Sequence, residues 1–274
     1  MTLPVKLSAF LLAFSLTKSL ALVPLGTPDR IIVSPSVAKA NFLNLGADLD
    51  AAVKGGAEWL HFSVQDGRMV PKISFGAPVV AACRAAFPNT VFDVKLSCIE
   101  PEARVNDFIK AGADILSVHP EATMQLGAVI NKIADGGVAP GVVLNPGTSV
   151  SSVEHVLDQC NVAVVMLVRK KMRYADYFYS PISNPLCSIK VNPGYGGPKY
   201  MKQAVAKIKE LRKIAPGLHI SVDGGVNEKN AAELINAGAN VLVAGGGVFK
   251  TDDKKAAIDS LKACANIAIP KLVA

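Results

Sequence analysis

The chain has 274 residues, of which 50% are hydrophobic, and a formal net charge of +7. This length and composition suffice for one large core, and α/β barrels of about 250 residues commonly form a single domain. The basic charge suits anionic small molecules, but no basic stripe alternates with aromatic residues, so nucleic-acid binding is not indicated. The 5 scattered cysteines contain no C-x-x-C pair and favour buried thiols over a disulfide framework or a zinc site.

The N-terminal segment has the pattern of a targeting signal. An apolar run follows Lys6, and the Ser-Leu-Ala phrase that ends at Ala21 has the small-x-small form of a signal-peptidase site. We predict a signal peptide at 1–21 and a linker at 22–30, with a disordered or barrel-capping extension as the alternative. The run is too short to span a bilayer, so no stable membrane anchor is expected. Such a signal directs a chain to the endoplasmic reticulum, and leaves secretion and import into a complex plastid both open.

From residue 31 onward, short β-branched runs alternate with amphipathic stretches about every 25 residues, which is typical of βαβ units. The phrase Ala-Gly-Ala-(Asp/Asn) recurs at 111–114 and 237–240, where each glycine is predicted to end a helix. Eight such units predict an α/β fold, a (β/α)₈ TIM barrel at 31–274. The predicted strands are Ile31–Val37, Trp59–Val64, Val91–Leu96, Asp114–Val118, Gly141–Leu144, Val162–Val168, His219–Val222 and Asn240–Ala244. The predicted helices are Asn44–Lys54, Pro78–Ala86, Glu102–Ala111, Thr123–Ala134, Val150–Asp158, Lys199–Ile214, Glu228–Ala237 and Asp253–Ala263.

An insertion at about 169–190 breaks this rhythm with a basic start, several aromatic residues and no period. Loops of this length are uncommon without a role of their own. An active-site lid, an oligomer contact, a disordered insertion and a gene-model artefact are the explanations that the sequence leaves open.

Glycine-rich turns follow the predicted sixth, seventh and eighth strands, at 194–197, 224–225 and 245–247. The loops after strands seven and eight commonly form the phosphate site of such barrels. Backbone N–H groups at such turns can surround phosphate oxygens. The sequence therefore predicts a small phosphorylated ligand.

Several phrases resemble those of ribulose-phosphate 3-epimerases, in the same order, over roughly residues 31–264. The resemblance implies the ribulose-phosphate-binding type of TIM barrel and a role in the pentose phosphate pathway of carbohydrate metabolism. The phrases are Ser34-Pro35-Ser36, His61-x-x-x-x-Asp66-Gly67-x-x-Val70-Pro71, Gly112-Ala113-Asp114-Ile115-x-Ser117-Val118-His119, Val143-Leu144-Asn145-Pro146-Gly147-Thr148, Val191-Asn192-Pro193-Gly194-Tyr195-Gly196-Gly197 and Val222-Asp223-Gly224-Gly225.

The resemblance also implies a reaction. One carboxylate removes the proton at the third carbon of a ketopentose 5-phosphate, and a second carboxylate returns it on the opposite face. A divalent metal ion (Zn, Fe or Mn), held by two His and two Asp, stabilises the enediolate between the two steps. By position, Ser36 would contact the substrate, His61 and Asp223 would bind the metal, and Asp223 would also act as an acid/base. The phosphate would be held by Gly194, Tyr195, Gly196, Gly197, Gly224, Gly225, Gly245 and Gly246.

The sequence departs from the family pattern at two positions. Ser63 stands where the family has its second catalytic Asp, and Lys95 stands where it has its second metal-binding His. A serine hydroxyl is a poor proton acceptor and a weaker ligand than a carboxylate, and a protonated lysine repels a cation. We hypothesise that Lys95 takes the place of the metal ion, pairs with Asp223 or Asp93 and polarises a substrate oxygen, with no cofactor.

Three functions remain open at this point. The first is an isomerase of the epimerase type in which Asp223, Lys95 and Ser63 form an altered catalytic set. The second is a decarboxylase-like barrel that uses Asp93-x-Lys95, as in the orotidine-phosphate decarboxylase group, although Cys98 stands where that group has its last Asp. The third is a non-catalytic phosphosugar-binding protein. A homo-oligomer is left open for all three.

Four further residues receive a structural interpretation. We interpret His119 and His219 as hydrogen-bonded structural residues, Trp59 as part of the core and Asp66 as a residue that shapes a turn.

Overall fold

The structure is a computed structural model that describes residues 25–169, 199–200 and 202–268. The predicted signal peptide, most of the predicted insertion and the glycine-rich turn at 194–197 lie outside the described residues. In the described ranges, no helix combines the length and the apolar character that crossing a membrane requires.

Ten strands are present in the described ranges, of which eight form one parallel sheet. They are β1 Ile32–Pro35, β2 Trp59–Gln65, β3 Val91–Ser97, β4 Ile115–Val118, β5 Ala139–Leu144, β6 Val162–Met166, β7 Val168–Arg169, β8 Lys199–Tyr200, β9 His219–Asp223 and β10 Val241–Ala244. The sheet has the order β1-β10-β9-β6-β5-β4-β3-β2, and a bridge between Ser36 and His61 joins β1 to β2. The sheet therefore nearly closes on itself, and the predicted TIM barrel is confirmed.

The helices lie between the strands, as the sequence predicts. They are α1 Leu45–Lys54, α2 Ala77–Ala86, α3 Val105–Lys110, α4 Leu126–Asp135, α5 Lys202–Ile214, α6 Glu228–Asn236, α7 Gly246–Phe249 and α8 Lys254–Ala268. Short 3₁₀ helices add Val37–Lys39, Phe42–Asn44, Pro101–Ala103, Pro120–Ala122, Val150–Ser152 and Glu154–Gln159.

Two predicted elements are wrong in part. The predicted helix Val150–Asp158 is a pair of 3₁₀ helices, and the hydroxyl of Ser152 donates to the carbonyl of Ser149, a local bond that competes with α-helical pairing. The predicted helix from Lys199 begins at Lys202, because Lys199–Tyr200 pairs antiparallel with Val168–Arg169 outside the barrel.

The bore of the barrel has an apolar half and a polar half. Alternate residues of each strand point inward, and those near the strand starts form one cluster that contains Trp59, which is 1% exposed. His219 packs on the Trp59 ring at 5.3 Å, and its Nε2 lies 3.1 Å from the carbonyl of Gly26. The core and structural interpretations of these two residues are confirmed. Most of the polar inward residues lie towards the carboxyl ends of the strands, where TIM barrels have their active sites.

The loop after β2 is organised by Asp66. Its carboxylate accepts hydrogen bonds from the backbone N–H groups of Arg68, Met69 and Ile99, at 2.8, 2.9 and 2.8 Å. Burial opposes the charged form, but these bonds outweigh it and hold the pKa of Asp66 below its usual value. Asp66 is therefore a turn residue, as predicted.

The repeated Ala-Gly-Ala phrase binds a half-buried arginine in each half of the barrel. Arg84, near the end of α2, donates to the carbonyl of Gly112 at 2.9 Å and pairs with Asp114. Arg212, on α5, donates from Nε to the carbonyl of Gly238 at 3.0 Å. Both glycines have positive φ, 90° and 113°, and a Cβ on either would lie within 2.8 Å of the arginine side chain. Each arginine thus fastens a helix end to the loop before the next strand.

Replacing one such arginine is expected to lower the free energy of unfolding substantially. Arg212→Met keeps the apolar stem but removes donors to the carbonyls of Gly238, Pro216 and Leu218. Because hydrogen bonds from a charged group are each worth about 1.5–3 kcal/mol, we expect a loss of about 2–4 kcal/mol in urea unfolding. Lys54→Met, which breaks an exposed pair with Asp50, is the control and should cost less than about 1 kcal/mol. Equal losses in the two variants would contradict this role.

Candidate active site

Five polar residues predicted to act in the site point into the same end of the bore. His61 and Ser63 alternate along β2, and in the parallel register they pair with Asp93 and Lys95 on β3. Asp223 ends β9, which lies four strands from β3 around the ring. The strand order therefore places Lys95 and Asp223 on opposite walls of the barrel.

Lys95 reaches across the bore and forms an ion pair with Asp223. The Lys95 side chain is 1% exposed and that of Asp223 is 18% exposed. Burial by itself raises the pKa of Asp223, but the Lys95 ammonium outweighs it, so the pKa of this carboxyl lies below its usual value. A second donor of the ammonium lies 3.4 Å from the sulfur of Met166. Since an ammonium has three donors, one remains for a ligand in the mouth of the barrel.

His61 and Asp93 form a second pair beside the first. The Nδ1 of His61 lies 2.6 Å from Asp93 Oδ2, and both side chains are fully buried. Because a carboxylate only accepts, Nδ1 carries the proton, and Asp93 therefore orients His61 rather than Lys95. Among the described residues, the Nε2 of His61 has no hydrogen-bond partner, and it lies 3.8 Å from Asp223 Oδ2. A carboxylate that accepts a hydrogen bond from one ring nitrogen of a histidine commonly orients the imidazole so that its other nitrogen can bind a metal ion.

The residues nevertheless do not fit a divalent metal ion. The ligand candidates that remain are His61 and Asp223, and the ammonium of Lys95 contacts the same carboxylate oxygen that faces His61. A cation at this point would be repelled by the ammonium, and Ser63 offers a neutral hydroxyl in place of a carboxylate. In the described part of the chain, no three His, Cys, Asp or Glu side chains are grouped so as to hold a metal ion.

The predicted phosphate-binding turns that are described meet on one side of the mouth. Gly224 and Gly225 follow β9 with φ of 114° and 75°, a region that L side chains rarely adopt. Gly245 and Gly246 follow β10, and a Cβ on Gly245 would lie 3.7 Å from the Cβ of Ser36. The predicted substrate contact Ser36 therefore lies next to the turn after β10. Gly194, Tyr195, Gly196 and Gly197 lie outside the described residues.

Lys39 is a charged residue near these turns that the sequence analysis did not select. It ends the 3₁₀ helix Val37–Lys39, and a Cβ on Gly245 would lie 2.8 Å from its Cγ. Lys39 is exposed, so it adds a positive charge beside the turns predicted to bind phosphate. No motif includes it, and only the closure of the barrel brings it to this side.

His119 is a buried structural residue, as predicted. Its Nε2 lies 3.2 Å from the hydroxyl of Ser97, and the residue is 0% exposed. Burial, followed by the charge of Lys95, lowers the pKa of His119 to about 3. The imidazole is therefore neutral near neutral pH and is a poor proton donor.

This histidine is expected to make folding stability depend on pH. The unfolded chain binds a proton at His119 near pH 6.5, whereas the folded chain binds one only near pH 3. The contribution of His119 to folding stability is therefore complete above pH 6.5 and is lost as the pH falls from 6.5 towards 3. We expect the free energy of unfolding to fall by about 2 kcal/mol between pH 7 and pH 5 from this group. His119→Gln should remove that part of the fall in urea unfolding, and the exposed His155→Gln should not. If the free energy of unfolding falls equally in the parent, His119→Gln and His155→Gln proteins, His119 is not the group responsible.

The family of the chain follows from comparison with known proteins. The profile of the Ribulose-phosphate 3 epimerase family matches residues 32–173 and 184–249. The chain belongs to this family. It is 44% identical over 239 residues to the "Ribulose-5-phosphate-3-epimerase, chloroplastic" of Arabidopsis thaliana, covering 85% of this chain and 76% of that protein. It is 40% identical over 237 residues to the Ribulose-phosphate 3-epimerase of Bacillus subtilis, covering 85% and 98%. Residues 174–183, between the matched ranges, fall inside the predicted insertion.

Solved structures of other barrels share the fold. The 3-keto-L-gulonate-6-phosphate decarboxylase from Vibrio cholerae has a TM-score of 0.61 at 14% identity, covering 88% of this chain and 99% of that chain. A 3-hexulose-6-phosphate synthase from Salmonella typhimurium has a TM-score of 0.61 at 11% identity, covering 87% and 100%. At these identities the likeness shows the fold and not the reaction.

Proposed function

We propose that this protein binds a ketopentose 5-phosphate and, as an isomerase, catalyses proton transfer at its third carbon without a resident divalent metal ion. The observation that carries the proposal is the Lys95–Asp223 pair across the mouth of the barrel. It combines a carboxylate that can accept a proton with a fixed positive charge beside it. Family membership supports the substrate class, because its named relatives are ribulose-phosphate 3-epimerases.

The proposed reaction begins at Asp223. The contacts from Lys95 and His61 both fall on Oδ2, and the side chain keeps 18% of its exposure, so we assign Oδ1 as the base. This oxygen takes the proton from the third carbon, and the bonding electrons form an enediolate whose negative charge lies on the former carbonyl oxygen. The free donor of Lys95 stabilises that charge, because a preorganised positive donor favours the negative charge that develops on this oxygen. A proton then returns to the third carbon: delivery on the opposite face gives the epimer, and return from Asp223 gives exchange with solvent.

The phosphate of the substrate would lie on the other side of the mouth. The backbone can approach the phosphate closely at four glycines, Gly224, Gly225, Gly245 and Gly246. A hydroxyl comes from Ser36 and a positive charge from Lys39. Anchoring the phosphate fixes the third carbon relative to Asp223, and such positioning lowers the entropic part of the barrier.

The decarboxylase alternative is disfavoured by two contacts. It requires Asp93 and Lys95 to work together, but Asp93 is bonded to His61 and Lys95 is bonded to Asp223. The non-catalytic alternative has no contact that distinguishes it, so the experiment must separate it from the proposal.

The test is to incubate the purified protein with D-ribulose 5-phosphate in heavy water and to follow the proton on the third carbon by NMR. We expect exchange to continue in excess chelator, and elemental analysis to find less than stoichiometric zinc, iron and manganese. Exchange that stops with chelator and returns with one of these metals would overturn the metal-independent reaction. Tight binding without exchange would assign the protein as a phosphosugar binder, and release of carbon dioxide from a keto-acid sugar phosphate would assign it as a decarboxylase.

The cellular location of the protein is a further part of the proposal. We propose that residues 1–21 direct the chain to the endoplasmic reticulum, for secretion or for import into a complex plastid. A fluorescent protein fused after residue 30 should enter the secretory system, and a cytosolic fusion would overturn this assignment.

A further inference from the structure

Two described carboxylates, Asp93 and Asp223, point into the bore from the polar ends of the strands, and Asp223 is the one of these two that keeps access to solvent. Its side chain is 18% exposed. The neighbouring carboxylate Asp93 is fully buried and is held by His61. Asp66 is bound to three backbone N–H groups of the loop after β2. None of these other carboxylates can approach a substrate carbon as a proton donor.

Three buried titratable groups near the strand ends also do not serve as proton donors to the β2 side of the bore. His119 is buried and neutral near neutral pH. The thiol of Cys98 donates to the carbonyl of Val64 at 3.7 Å, and burial raises its pKa to about 12. Lys95 is 1% exposed and already donates to Asp223, so a proton from it arrives on the Asp223 side. Among the described side chains that point into the bore, proton transfer to carbon is therefore available from the wall that carries Asp223.

Across the mouth from Asp223, the corresponding position on β2 is a serine. Ser63 is buried, with 6% exposure, and its carbonyl accepts from the hydroxyl of Ser74 at 2.9 Å, which fixes the strand to the following loop. A serine hydroxyl with no adjacent base is a poor proton donor and acceptor near neutral pH. β2 and β9 are separated in the ring by β1 and β10, so Ser63 and Asp223 approach the mouth from different walls.

We infer that the enzyme exchanges the proton on the third carbon with solvent on one face and returns it mainly to that face, so that exchange greatly outpaces inversion. This inference rests on the proposed function. The bond from carbon to hydrogen breaks, Asp223 holds the proton, and the enediolate holds the electron pair. The exposed carboxyl exchanges its proton with solvent, and the bond from carbon to solvent hydrogen then forms on the same face. The sugar phosphate leaves labelled and with its configuration unchanged.

The experiment measures both events in one sample. D-ribulose 5-phosphate is incubated in heavy water, and NMR follows the loss of the proton on the third carbon together with the appearance of D-xylulose 5-phosphate. Since a positioned acid or base is worth about 10²–10⁴-fold in rate, we expect exchange to exceed inversion by about 100-fold or more. The two epimers carry this hydrogen on opposite faces of the bound sugar, so D-xylulose 5-phosphate should exchange about 100-fold or more slowly than D-ribulose 5-phosphate and should likewise form little epimer. Neither measurement needs a variant.

A variant pair tests the cause. Ser63→Asp places an acid/base on the β2 wall and should raise the ratio of inversion to exchange by about 100-fold. Ser149→Asp adds the same charge on the exposed loop after β5, at the same end of the barrel, and should leave the ratio unchanged. If folded Ser63→Asp protein has the same ratio of inversion to exchange as the parent protein, the role given to Ser63 is wrong.

Two results for the parent protein have different meanings. Inversion at the same rate as exchange would overturn the one-face inference and leave the proposed function intact. Absence of exchange from both sugars, with the protein folded, would overturn the proposed function itself and this inference with it.

Discussion

Asp223→Asn is expected to abolish exchange at the third carbon and to destabilise the fold at the same time. The asparagine amide cannot accept the proton, so the exchange rate should fall by about 10³-fold or more. The same change leaves the ammonium of Lys95, which is 1% exposed, without its counter-charge. Removing one partner of a buried ion pair costs about 3–5 kcal/mol. The two losses have different causes and can be separated.

A double variant separates the loss of exchange from the loss of stability. Adding Lys95→Met to Asp223→Asn removes the unpaired ammonium, so urea unfolding should recover most of the lost stability while exchange stays absent. Asp50→Asn, which breaks an exposed pair with Lys54, is the control and should change neither exchange nor stability by much. Asp223→Asn protein that is folded and exchanges at the parent rate would refute the assignment of Asp223 as the base.

The sequence predicts the barrel well because its pattern is local. Short β-branched runs and the glycines that end several helices place eight strands correctly, and the parallel sheet then brings the strand ends to one mouth. The segment from Val150 is one exception, since the hydroxyl of Ser152 bonds to the carbonyl of Ser149 and 3₁₀ turns replace the predicted α-helix. In that segment a local side-chain contact competes with the helical period.

The partner of Lys95 could not be predicted from the sequence alone. Asp93 is two residues away on the same strand, whereas Asp223 is far along the chain, and both were candidates. The strand order decides between them, because His61 lies beside Asp93 on β2 while the Lys95 side chain spans the bore to β9. Lys39 was missed for the same reason, since its place beside Gly245 depends on the pairing of β1 with β10.

Converting the site back to four potential ligands is expected to create a metal-binding protein. The double variant Lys95→His, Ser63→Asp removes the ammonium that repels a cation and adds an imidazole and a carboxylate to His61 and Asp223. His61 is already oriented by Asp93, with its Nε2 unpartnered, so part of the site is in place. We expect close to one zinc ion per chain after dialysis, measured by elemental analysis, against much less in the parent.

Metal binding should also stabilise the double variant. A ligand present at about 1,000 times its Kd stabilises the folded state by about 4 kcal/mol, which for a domain of this size raises the Tm by about 8–16 °C. The matched control is Lys95→His, Ser149→Asp, which carries the same charges but lacks the carboxylate on β2 and should bind zinc more weakly. If the parent binds zinc as well as the double variant does, the Lys95 ammonium does not exclude the metal. If neither binds, the orientation of His61 by Asp93 is a structural feature with no bearing on metal binding. Zinc in the double variant alone would show that Lys95 and Ser63 are what exclude a metal ion from this barrel.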